Sequence, residues 1–361
     1  MRNNSRRIAT LKDLARATGY SINTVSRALR DKSDIAAETK KKIKAVSKKI
    51  GYINNTLASS LRLGHTNIIA VILGDISNPH FAIMMKEIEN TARKSGYSSF
   101  LVNTNENAEL EREAIESALN KNVDGIIICP SQHNEENIRY LMQTRVPFVQ
   151  IGRYFEGIAA NYVVCNDKLG GYQAAKYLID NGHRDILLLR GPLYISSARE
   201  RLAGYKQAFK KAGLKINPGL VREVPVTGEG CAELISSIIK EKLSFTGILA
   251  FSDMIAWDAW TCLEKEGFKI PKDYSLVGFD NIQSRLAIPF QLSTISSYKR
   301  MMSSTAVNCL ICLMKGKKTK PRECGGLCRH VISTKLVEGE TVMRRREKTP
   351  RRKAGSAKPK V

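Results

Sequence analysis

The sequence predicts a multidomain α + α/β protein: a small helical head, a short linker and a two-lobed core of parallel sheets. Three observations predict it. Three short amphipathic helical patterns crowd residues 11–50. From Asn67 onward, apolar strand-like runs alternate with helical segments, as in βα units that build a mostly parallel sheet. That alternation restarts near Gly170, giving two successive α/β units of domain size within 361 residues.

In the head, Leu11, Leu14 and Ala15 mark one apolar face. Val25 and Leu29 mark a second, and Ile43, Val46 and Ile50 a third. Thr18-Gly19-Tyr20 reads as a tight turn, with Ser21 placed to cap the next helix. Helix, glycine-containing turn, helix is the helix-turn-helix layout. The second helix offers Ile22, Asn23, Thr24, Ser26 and Arg27 on its polar side. Asn can bond an adenine edge in a bidentate way, and Arg a guanine edge. A three-helix cap with a solvated basic face would show the same periodicity. Charge weighs toward DNA: residues 1–64 hold fifteen Lys/Arg against four Asp/Glu, a net of +11.

Residues 51–64, GYINNTLASSLRLG, read as a linker. Thr56 to Leu63 could form about two helical turns, too few to stand alone in water. Leu57 and Leu61 share one side, and periodicity alone packs them on the body.

The first α/β series begins with Ile68 to Leu73, a continuous apolar run suited to a strand buried on both faces. Helix 81–94, strand 97–103, helix 109–120, strand 125–129, helix 134–143 and strand 148–151 follow. The second series runs helix 170–181, strand 185–189, helix 198–212, strand 221–224, helix 230–240, strand 247–251, helix 254–265 and strand 275–279. A late helix, 300–314, and a strand, 329–333, return to one lobe or both. Two α/β lobes with a cleft between them are a common ligand-binding architecture.

The net charge of +24 sits at the ends. Residues 344–361 carry a net of +8, which leaves +5 for residues 65–343. The basic tail, low in apolar residues, is expected to be disordered, either adding non-specific DNA affinity or staying a solvated tail. No apolar run approaches the ~20 residues that span a bilayer, and the N-terminus has no apolar signal region, so a cytoplasmic location is expected. Cys129, Cys165, Cys231 and Cys262 read as small buried hydrophobes. Cys309, Cys312, Cys324 and Cys328, with His330 nearby, have a spacing that could bind zinc. The first pair lies in a helical pattern and the second flanks Gly325-Gly326, so packing and loop thiols are the preferred reading, with no metal expected. G-x-G-x-x-G, P-loop, G-x-S-x-G and H-E-x-x-H patterns are missing, and the S-x-x-K string at Ser296–Lys299 lacks its companions. No catalytic residues and no cofactor are expected.

Several blocks in order then fix a resemblance: LKDLARATGYSINTVSRAL, GYINNTLASSLR, DISNPHF, GHRDI, RLAGY, FSDM and SLVGFDN. Over about residues 10–340 the chain resembles the lactose-repressor/galactose-repressor (LacI/GalR) family of bacterial transcription factors. The resemblance implies a helix-turn-helix head (1–53), a hinge helix (54–65), a periplasmic-binding-protein-like core (66–343) and a tail (344–361). The expected lobes are 66–164 with 296–324, and 165–295 with 325–343. It implies a repressor that binds near-palindromic operator DNA as a homodimer, under a small effector such as a carbohydrate. It places Ser21, Ile22, Asn23, Thr24, Ser26 and Arg27 against DNA, Leu61 as a minor-groove wedge and Arg62 beside it. It places Arg201 and Asp280 on the effector, with Ser197, Asp253, Asp75, His80 and Phe81 facing it. An interlobe ion pair is the plainer role for Arg201 and Asp280. The sequence departs from the family pattern at Asn54 (usually Pro), Ala36 (usually Ser), Cys165 (often Asp), Asp258 (commonly Gly) and in its tail. The competing reading is a transporter's solute-binding protein without its signal peptide, which the basic head opposes.

Overall fold

A computed structural model describes residues 9–53, 65–227, 230–285, 290–316 and 326–345. The chain divides between Thr66 and Asn67 into two compact units. In the first, α1 (Leu11–Thr18), α2 (Ile22–Leu29) and α3 (Ala37–Lys49) enclose a small core. Leu14, Val25, Ala28 and Ile43 are fully buried there. Local chemistry sets each start and stop. Thr10 and Asp13 form a reciprocal capping box on α1. Gly19 ends α1 at φ 76°, a left-handed position that costs glycine little. Ser21 Oγ accepts from Thr24 N at 3.1 Å and so opens α2. Ala36 gives α3 no side-chain cap.

The second unit holds two six-stranded sheets. The first is built from β1 (Ile68–Leu73), β2 (Ser98–Asn103), β3 (Gly125–Ile128), β4 (Phe148–Ile151), β5 (Tyr162–Cys165) and β11 (Arg329–Ile332), in the order β11-β5-β4-β3-β1-β2. All of its pairings are parallel. The second joins β6 (Ile186–Arg190), β7 (Val221–Glu223), β8 (Gly247–Ala250), β9 (Ser275–Asp280), β10 (Ser293–Ser296) and β12 (Lys335–Val337), in the order β12-β10-β9-β8-β6-β7. It is parallel except for β12, which runs antiparallel to β10. The helices α4 (Pro79–Lys94), α5 (Ala108–Asn120), α6 (Glu136–Gln143) and α11 (Lys299–Met314) belong with the first sheet. Helices α7 (Asp167–Asp180), α8 (Ser196–Lys211), α9 (Cys231–Lys240) and α10 (Asp253–Lys265) belong with the second. Both faces of each sheet carry apolar clusters, as the continuous apolar strands require. Among the described residues no helix is long and apolar enough to cross a membrane.

The expected assignment of 325–343 to the second lobe needs correction. Arg329–Ile332 pairs with Tyr162–Cys165 and closes the edge of the first sheet; the chain changes lobe after Ile332. Strands β5, β10 and β12 were not expected from the sequence. Helices α7 and α8 lie unusually close. A Cβ on Gly204 would stand 2.1 Å from the Lys168 carbonyl oxygen, and one on Gly171 would stand 2.3 Å from that of Arg201. The glycine contact brings the start of α7 against the Arg201 turn of α8.

Candidate functional site

In the head, Ser21 and Ile22 to Arg27 occupy the first turns of α2. Val25 points into the core, while Ile22 is 44% exposed and Asn23 and Arg27 are exposed. Thr24 and Ser26 are half-buried. Arg27 forms an ion pair with Asp34 at 2.6 Å. Both partners are about half exposed, so the pair is worth only ~0–1 kcal/mol and yields readily to a phosphate or a base edge. Leu61 and Arg62 lie outside the described residues.

In the core, the carboxyl ends of the strands of both sheets converge on a cavity of about 150 Å³. This is where open parallel sheets place their ligand sites. Asp75, His80, Phe81, Ser197, Arg201 and Asp280 all line it, so the structure brings together every expected effector residue except one. That one is Asp253. It is fully buried at the start of α10 and its carboxylate is already occupied. Oδ1 accepts from the Thr294 hydroxyl at 2.5 Å and Oδ2 from Ile282 N at 2.8 Å. Asp253 is thus a brace under the end of β9; its neighbours Ser252 and Met254 reach the cavity instead. Burial, reinforced by the Asp280 charge, pushes its carboxyl up to about 7. Cys165 and Asp258 also lie off the cavity wall.

Arg201 is nearly buried and fully engaged. Its Nε meets Asp167 at 2.8 Å, Nη1 donates to the Phe251 carbonyl at 2.5 Å, and Nη2 lies 3.7 Å from Asp280. The guanidinium also stacks 3.5 Å over the Phe279 ring. Burial opposes its charge; Asp167 and then Asp280 outweigh that opposition and hold its pKa above the ordinary value. Asp280 has φ 111°, a region disfavoured for any residue with a Cβ. It is held there by the Lys299 ammonium, which donates to the carbonyls of Asp280 and Asn281.

The first lobe contributes a pair that sequence reasoning missed. Arg153, just past β4, makes a bidentate contact with Glu106 at 2.6 and 3.0 Å. Their 47-residue separation hides the pair; the only signal was a charged residue at the carboxyl end of a predicted strand. Asp167, the partner of Arg201, was missed for the same reason. His80 stands 3.4 Å from Asp280. Burial pushes its imidazole down to about 4, overcoming the pull of Asp280, so the ring is neutral near pH 7. His80 Nδ1 and Asp280 Oδ1 are both buried and lack a hydrogen-bond partner among the described residues.

Gln132, past the end of β3, joins the lobes directly. Its Oε1 accepts from Ser196 N at 2.8 Å and its Nε2 donates to the Tyr154 carbonyl at 2.7 Å. Helix α8 has Ile195 at its N-cap and no side-chain cap from its own lobe.

Comparison with known proteins gives the class. Residues 10–55 match the family described as bacterial regulatory proteins, lacI family. Residues 66–323 match the periplasmic binding proteins and sugar binding domain of LacI family. The chain belongs to the LacI family of transcriptional regulators. A HTH-type transcriptional repressor PurR from Pasteurella multocida (strain Pm70) is 31% identical over 304 residues, covering 84% of this chain and 91% of that protein. The ribose operon repressor of Haemophilus influenzae is 30% identical over 305 residues, again covering 84% and 91%. A crystal structure of the Lac repressor bound to ONPG in the repressed state matches with a TM-score of 0.80 at 26% identity, covering 93% of this chain and all of that one. The protein is a transcriptional repressor by kind, with a core that takes a small effector.

Proposed function

We propose that this cytoplasmic repressor binds a near-palindromic operator as a homodimer and responds to a neutral, hydroxyl-rich effector of sugar type. The observation that carries the effector reading is Asp280 Oδ1, a buried carboxylate oxygen without a hydrogen-bond partner in a residue lining the cavity. A buried acceptor of that kind favours a ligand that donates. The guanidinium charges nearby are already matched: Arg201 by Asp167 and Asp280, Arg153 by Glu106. An anionic ligand would have to displace those carboxylates or sit beside them. A hydroxyl bridging Asp280 and neutral His80 costs nothing of the kind. The cavity is below the roughly 300–1,000 Å³ of drug-sized sites, which favours a single ring.

In this reading Asn23 and Arg27 read base edges in the major groove, Ser21, Thr24 and Ser26 anchor the helix, and Ile22 contacts a thymine methyl. Leu61 and Arg62 enter the minor groove. Two-fold symmetry of the dimer matches that of the operator. A transporter's solute-binding protein has no use for the basic head, and the repressor relatives weigh the same way.

The test is a thermal-shift screen of monosaccharides, nucleosides and small organic acids on the full chain. A neutral polyol should raise the melting temperature by mass action, and Asp280→Asn should remove that rise. Stabilisation by acids alone, retained in Asp280→Asn, would overturn the effector class.

A further inference from the structure

Away from the cleft, cysteine chemistry gathers where α11 meets β11. Cys309 on α11 and Cys328, one residue before β11, are joined as a disulfide with Cα atoms 6.6 Å apart. The sequence had suggested packing and loop thiols here; the fold brings together sulfurs 19 residues apart in the chain. The Cα separation lies within the range that disulfides span. Nε2 of His330 stands 3.3 Å from Cys328 Sγ. Cys312 lies one helical turn from Cys309. Cys328 is 9% exposed, and Gly326 and Leu327 beside it are exposed, so its sulfur lies close beneath the surface.

We propose that Cys328, with His330 as its proton acceptor and Cys309 as its resolving partner, is a reversible oxidation site for a small peroxide. In the reduced protein His330 Nε2 takes the Cys328 proton and leaves a thiolate, the nucleophilic form. The thiolate attacks one oxygen of hydrogen peroxide. The O–O bond breaks, the sulfur is oxidised by two electrons to a sulfenic acid, and the leaving hydroxide takes the imidazolium proton to become water. Cys309 sulfur then attacks Cys328 Sγ. The S–S bond forms, the S–OH bond breaks, and the hydroxide leaves as water with the Cys309 proton. Two thiols and one peroxide become one disulfide and two waters. A dithiol reductant reverses the change by exchange.

The other buried cysteines lack this setting. Burial pushes the Cys129 and Cys231 thiols up to about 12 and the Cys165 thiol well above its usual value; Cys328 is buried too, and the imidazole beside it is what differs. No imidazole contacts the other three among the described residues. Position gives the pair a consequence. Helix α11 begins at Lys299, which holds the Asp280 carbonyl at the cleft. Strand β11 ends where the chain crosses to the second lobe. The bond therefore ties the middle of α11 to the start of β11, inside one excursion of the chain into the first lobe.

The experiment uses the full chain, reduced with dithiothreitol, desalted, and exposed to stoichiometric hydrogen peroxide before alkylation and peptide mass mapping. The expected product is the Cys309–Cys328 crosslink. His330→Gln should slow its formation roughly tenfold near neutral pH and shift the pH profile of the rate upward, through loss of the thiolate-stabilising imidazole. Cys309→Ser should trap a dimedone-reactive sulfenic acid on Cys328; if that variant fails to fold, the His330→Gln rate comparison decides alone. Three results would overturn the proposal: an unchanged rate and pH profile in His330→Gln, peroxide reacting at other cysteines while this pair stays reduced, or stoichiometric zinc held by the reduced protein that blocks oxidation.

Discussion

Arg27 shows how a recognition side chain is kept available. Its ion pair with Asp34 fixes the guanidinium on the surface of the head without burying it. Exchanging that partner for a guanine edge costs little and gains a bidentate contact. Arg27→Ala should therefore weaken operator binding by about 1–3 kcal/mol while affecting random DNA less. Mobility-shift titrations on both DNAs check this; equal losses would reduce Arg27 to a phosphate contact. His80 offers a second test at this scale. Its folded pKa of about 4 lies below the unfolded value near 6.5. Its contribution to stability is thus present above the unfolded value and is lost as pH falls toward the folded one. From pH 7 to pH 5 the parent should lose about 2 kcal/mol more core stability than His80→Asn, by urea unfolding. Parallel losses in the two proteins would show that the ring is not held neutral.

A helix start needs partners for its first N–H groups, and α8 takes one from across the cleft, through Gln132 to Ser196 N. Lobe closure and helix capping are then one event. Gln132→Ala should weaken effector binding about fivefold, matching the ~1 kcal/mol of a typical cap, with little change in unliganded operator affinity. Calorimetric titration reads this; unchanged effector affinity would make the contact incidental. The same element logic explains what the sequence could disclose. Continuous apolar runs such as Ile68 to Leu73 are buried on both faces and declare themselves as strands. Strand β10, Ser-Thr-Ile-Ser, does not: Ser293 and Thr294 are buried only because Thr341 and Asp253 bond to them. Strand β12 holds three residues, too few for any period to show, and β5 is a four-residue run that sequence reasoning passed over. The cleft followed the same rule. Arg201 and Asp280 sit in blocks with a family likeness, whereas Arg153–Glu106 exists only once the first lobe has folded, and Gln132–Ser196 only once the two lobes face each other.

For the whole molecule, the core is one unit whose chain passes between lobes after Cys165, after Ser296 and after Ile332. Arg201, Asp167 and Asp280 belong to the second lobe, and His80, Glu106 and Arg153 to the first. A ligand touching both groups favours the closed arrangement by its differential affinity for it, and only that difference can be passed to DNA binding. In this protein the cleft governs the affinity of the head for DNA. The most direct test is the operator affinity of the full chain, by fluorescence anisotropy on a labelled promoter fragment. The titration is run with and without the polyol that gives the largest thermal shift, in the parent and in Asp280→Asn. The expected change is roughly 5- to 150-fold in the parent, equal to about 1–3 kcal/mol of coupling, with none in Asp280→Asn. A polyol that stabilises the core yet leaves parent operator affinity unchanged would contradict it.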